Sequence, residues 1–114
     1  MPVGPVDDTI RRAIGGDVGA VRWIVTHAAT TDDALAVVMA ALLERDPVRL
    51  DRARAVATTS RERQVVEIAR LHLAGRTELV DALARDHLVD HPDSLIVAWI
   101  AADTDVRTRR RAEH

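Results

Sequence analysis

The chain has 114 residues, 47% of them apolar, with no cysteine and a formal charge of −2. That length supports one domain with a modest core. The missing cysteine excludes disulfides, thiolate metal sites and cysteine nucleophiles, and the acidic balance argues against a globally nucleic-acid-directed domain.

The start, MPVGPV, reads as a Pro/Gly leader over residues 1–6. Asp7 or Asp8 is the expected cap of a short helix through Ile10, Ala13 and Ile14, which Gly15 and Gly16 stop. A second helix follows from about Val18 to Ala28, with Val21, Ile24, Val25 and Ala28 in one stripe and Trp23 beside it. After Thr30, Thr31 and Asp32–Asp33, the third helix, ALAVVMAALLER, is apolar nearly all round. A helix without a polar face is central or covered by a partner, so this is the expected most buried element. Asp46–Pro47 marks a boundary, with Asp as N-cap and Pro at the first helical position. The fourth helix, VRLDRARAVA, is short and charged and is expected near the surface.

The stretch from Thr59 to Leu95 reads as a helix, a tight turn and a second helix. Thr59 and Glu62 stand in capping-box spacing. Val65, Ile68, Ala69, His72 and Leu73 form one face, and Gly75 ends the helix because it takes the left-handed conformation cheaply. Thr77 is the expected cap of the next helix, whose apolar face is Val80, Leu83, Ala84, His87 and Leu88. Pro92 stops it near Asp90. Two such helices joined through one glycine turn lie antiparallel. Asp93 or Ser94 caps a final helix, LIVAWIAADTDV, and RTRRRAEH closes the chain as a basic tail over 107–114. Residues 7–106 thus form a single helical domain.

The glycine between two helices and the proline seventeen positions later resemble the turn and terminal positions of a tetratricopeptide repeat. More specifically, TTSRERQVVEIARLHLAGRTELVDALARDHLVDHPDSL resembles the divergent bacterial proteins of the tetratricopeptide repeat thirty-eight family. The matching positions are Arg61, Glu62, Arg63, Gly75, His87, Leu88, His91 and Pro92, covering about a third of the chain. The aromatic and small-residue positions of ordinary repeats hold Gln64, Glu67, Ala84 and His87 instead, and the family's chains are much longer. The resemblance implies an all-α fold: a right-handed stack of antiparallel helix hairpins, here five to seven helices. It implies a scaffold and names no catalytic residue. Helix pairs recur about every 30 to 35 residues but share little identity, so the repeat is structural.

Candidate chemistry is sparse. His87 and His91 stand four apart, a spacing at which two imidazoles can share a metal, and are the weak metal candidates. Both fall in a helix's last turn, where histidine meets free carbonyls, and Leu88 and Val89 exclude an H-E-x-x-H site. A structural role is the simpler reading, and no cofactor is expected. Asp103 and Asp105 read as a solvated helix exit, and the capping role of Glu62 accounts for its place between Arg61 and Arg63. Arg107, Arg109, Arg110 and Arg111 are the densest like-charge cluster, able to meet phosphates or an acidic protein surface. No aromatic platform stands beside them, so a solvated tail is the simpler reading and nucleic-acid binding is not expected.

No apolar run reaches the roughly 18 residues of a membrane span, and the start is no signal peptide, so the expected location is the cytoplasm. The absence of Lys, Asn, Phe and Tyr points to a GC-rich bacterial genome. The expected role is a protein–protein interaction module, with no partner named by the sequence. The third helix, together with Ile96, Trp99 and Ile100 on the last, carries more apolar surface than a short chain is expected to cover. A homodimer is the expected closed solution.

Overall fold

The computed structural model describes residues 5 to 112, with side chains described for 8 to 106. Seven helices account for the described secondary structure: α1 (Pro5–Ile14), α2 (Val18–His27), α3 (Ala34–Glu44), α4 (Val48–Val56), α5 (Ser60–Leu73), α6 (Thr77–Asp90) and α7 (Leu95–Ala112). The fold is all-α, a stack of helix hairpins, and no described helix is long and apolar enough to cross a membrane.

Local signals set most of these boundaries. Asp17 caps α2 by accepting from the N–H of Ala20. Asp33 caps α3 by accepting from Leu35 and Ala36. Asp46 accepts from Val48 at the start of α4, relieving N–H groups that have no intrahelical acceptor. Three helices close the same way. Just after α1, α3 and α5, two successive N–H groups fold back onto the last turn's carbonyls: Gly16 to Ala13 and Asp17 to Arg12, Arg45 to Leu42 and Asp46 to Ala41, Gly75 to His72 and Arg76 to Leu71. This closure needs a left-handed residue. Glycine supplies it twice, but Arg45 supplies it after α3, at φ 52°.

Three boundaries differ from the sequence expectation. Helix α1 begins at Pro5, inside the expected leader, because proline suits a first turn whose N–H needs no acceptor. Helix α7 runs on to Ala112 through the expected tail, since RTRRRA contains no glycine or proline to break it. Thr77 is not the cap of α6. Arg76 holds that position, and Thr77 is the first helical residue, its hydroxyl donating to the Gly75 carbonyl at 3.5 Å.

Each helix packs on the next, and the odd-numbered helices also pack on one another: α1 on α3, α3 on α5, α5 on α7. The even helices lie outside this odd-numbered layer. A further contact between α1 and α7 draws the ends of the layer together, and the radius of gyration is 13.6 Å, close to the roughly 13 Å of a compact domain this size. Helix α3 is the centre, with Ala34 and every residue from Ala36 to Leu42 buried. Its apolar surface is therefore covered inside the monomer. Helix α4, expected at the surface, buries Leu50 and Ala53 against α3 while leaving Val48 exposed. Its Arg52 donates to the carbonyls of Ala28 and Thr31, so one side chain closes the C-terminal end of α2 and pins the following loop.

Candidate functional site

The residues of the Thr59–Leu95 stretch meet where α5 begins, α6 ends and α7 begins. Thr59 accepts from the Glu62 N–H at 3.1 Å, and Glu62 Oε1 accepts in return from the N–H groups of Thr58 (2.8 Å) and Thr59 (3.1 Å) and from the Thr58 hydroxyl. Partial burial alone would push the Glu62 carboxyl up, but these hydrogen bonds together outweigh it and hold it below its ordinary value. Neighbouring Arg61 reaches across to Asp93, with Nη2 at 3.1 Å from Oδ1. Its hydrogen bond and its charge keep the Asp93 carboxyl below the ordinary value too.

His87 is the centre of the joint and only 3% exposed. Its Nδ1 lies 2.7 Å from Oε1 of Gln64 on α5, and its Nε2 lies 3.1 Å from Oγ of Ser94, just before α7. A carboxamide oxygen only accepts, so Nδ1 carries the proton and Nε2 accepts from the Ser94 hydroxyl. One ring thus ties three helices together. The His91 ring lies against it, with centroids 4.8 Å apart. Burial, then the nearby charges of His91 and Arg61, lower the pKa of His87 against the smaller opposing effect of Asp90 and Asp93.

The structure brings the two candidate metal residues, His87 and His91, side by side. Both ring nitrogens of His87 are hydrogen-bonded within the protein. No group of three His, Cys, Asp or Glu that could hold a metal occurs among the described residues. His87 is a lock between helices, with the His91 ring packed against it.

Beside the lock lies a cleft of about 380 Å³ where α1, α3, α5 and α7 converge. Ile10, Leu35, Leu95 and Ile96 supply apolar lining, while Arg11 and Arg61 stand among its polar walls with Glu62 and Asp93. A smaller cavity of about 260 Å³ lies between the C-terminal end of α3, α5 and α7, lined in part by Trp99, Arg45 and the His72–Asp103 pair. In that pair Nε2 and Oδ2 are 3.3 Å apart.

The expected interaction residues are dispersed. Ile96 and Ile100 are 2% and 1% exposed and belong to the core, so they present no surface. This corrects the expectation that they exceed what a short chain covers: α7 packs on α1, α5 and α6 within the monomer. Trp99 is half-buried against the same core. Arg107, Arg109, Arg110 and Arg111 lie on the last turns of α7, and their side chains fall outside the described residues. Sequence reasoning missed the Gln64–His87–Ser94 network. The signal was present in the helical phase of His87, on the same face as Val80 and Ala84, but nothing local named its partners.

Comparison with protein-family models, with curated proteins and with solved structures finds no match to this chain.

Proposed function

We propose that the chain is a protein–protein interaction module of the bacterial cytoplasm, built as a short tetratricopeptide-like helical repeat, and that it binds a partner segment in the cleft between α1, α3, α5 and α7. The observation that carries this reading is the cleft itself: an open site of about 380 Å³ with apolar lining among charged walls, a composition suited to seating an apolar side chain while polar groups orient the chain that carries it. Its walls are fixed. The Thr59–Glu62 box fixes the start of α5, and the Arg61–Asp93 pair and the His87 hydrogen bonds tie α5 and α6 to the start of α7, so a partner would meet a preformed surface. The hairpin turn at Gly75 and the layered odd and even helices support the repeat reading.

Affinity capture from the host, quantified by mass spectrometry, tests this reading when wild type is compared with Arg11→Glu and Leu95→Ser variants of unchanged helicity. A specific partner captured by wild type and reduced at least tenfold by both substitutions is the expected result. Capture indifferent to both would overturn the cleft as the binding site.

A further inference from the structure

Arg45 stands where glycine would cost less. Of the three helix closures built on a left-handed residue, two use Gly16 and Gly75, at φ 94° and 76°, while the third holds Arg45 at φ 52°. A side chain kept where glycine would relieve the backbone asks for a use beyond stability. Ion pairing within the fold is not that use. Glu44 and Asp46, the carboxylates on either side of Arg45, both pair with Arg49, at 2.6 and 3.9 Å. Arg45 makes no ion pair with any described residue. It is instead an exposed cation on the wall of the smaller cavity, between the end of α3, α5 and α7.

The rest of that cavity suits an apolar body. Leu42 and Ile100 are buried in its lining, and Trp99 is half-buried beside them. The lining's other charged groups face each other, with His72 Nε2 at 3.3 Å from Asp103 Oδ2. Arg45 is therefore the lining cation left to receive an anion. We propose that this cavity binds a small aromatic carboxylate, its ring against Trp99 and its carboxylate on the Arg45 guanidinium. A planar guanidinium takes both oxygens of a carboxylate at once, which fixes the orientation of the ligand, and offset packing of two rings adds to the area buried. The size agrees. About 260 Å³ equals the volume of roughly nine waters, enough for one six-membered ring and a short acidic arm. The site shares no lining residue with the cleft between α1, α3, α5 and α7, so it stands or falls apart from the partner-binding reading.

Titration of the intact chain with phenylacetate, followed by heteronuclear NMR, tests the proposal, with phenylacetamide as the uncharged probe of the same shape. Saturable shifts centred on Arg45, Trp99 and Ile100 are expected, with a Kd of about 0.1–1 mM, an affinity open to a ligand this small. Phenylacetamide should bind at least tenfold more weakly to wild type. Phenylacetate should bind at least tenfold more weakly to Arg45→Gln and to Arg45→Gly. Circular dichroism should show both variants folded, the glycine variant with its backbone relieved. Arg22→Gln removes an exposed arginine of α2, outside the cavity lining, and should bind phenylacetate as wild type does. No saturable shifts at tens of millimolar, shifts centred away from the cavity, or equal binding of the amide would each overturn the proposal. So would undiminished binding by Arg45→Gln, or an equal loss in Arg22→Gln.

Discussion

Replacing His87 with alanine should destabilise the fold by about 3–4 kcal/mol, and the structure divides that loss. The ring is 3% exposed, and removing a buried side chain of this size costs about 2 kcal/mol in lost packing and residual cavity. The two hydrogen-bond partners behave differently. Gln64 is exposed and regains water once Nδ1 is gone, so its share is small. Ser94 is 5% exposed, and its buried hydroxyl loses its acceptor, which costs about 1–2 kcal/mol. Urea titration followed by circular dichroism measures the total, read as a lower midpoint at unchanged slope. A double-mutant cycle with Ser94→Ala should return a coupling of about 1 kcal/mol. A loss below about 1 kcal/mol for His87→Ala, or no coupling to Ser94, would refute the argument that this ring ties α5, α6 and α7 together.

The same ring sets a pH dependence. Burial, with the charges of His91 and Arg61, lowers the folded-state pKa of His87 below its ordinary 6.5; the unfolded chain therefore protonates first as pH falls. Its contribution is complete above about pH 7 and is lost below about 6.5 at up to about 1.4 kcal/mol per pH unit until the folded state also protonates. Stability curves of wild type and His87→Gln should diverge in slope there, and parallel curves would contradict the assignment. Gly75→Val should cost about 1 kcal/mol or more, because φ is 76° and open space around the added Cβ leaves backbone strain as the sole penalty; a neutral denaturation midpoint would remove that reasoning. Arg45→Gly should stabilise by about 0.5–1 kcal/mol, since a glycine takes the left-handed position after α3 without strain. A lower thermal midpoint for that variant would show that the arginine side chain outweighs its backbone.

The parts legible in the sequence are those decided within a few residues. The Thr59–Glu62 box, the Gly75 turn and the stop before Pro92 each rest on neighbours closer than five positions, and all three appear in the structure. The burial of α3 was legible for another reason: a helix with no polar face must be covered, and here the monomer itself covers it at the centre. The site was less legible because its contacts are distant. Arg61 and Asp93 are 32 positions apart, Gln64 and His87 are 23, and Arg52 reaches back 24 to Ala28. Nothing in a periodic pattern names a partner at such separation. The helical phase of Ile96 and Ile100 identified them as apolar without saying which neighbour covers them, and the contact of α1 with α7 supplies part of that cover. Thr77 misled because threonine caps well in general, whereas the turn through Gly75 places Arg76 at the boundary.

Cross-linking from inside the cleft tests the interaction reading most directly. A photo-activated residue placed at Arg11, beside the cleft, is compared in living cells with the same residue at Arg54, exposed on α4. One dominant adduct of defined mass is expected from position 11, competed away by the untagged wild-type chain, with only background from position 54. Equal adducts from both positions, or none from position 11 while the chain is folded and expressed, would contradict the interaction reading.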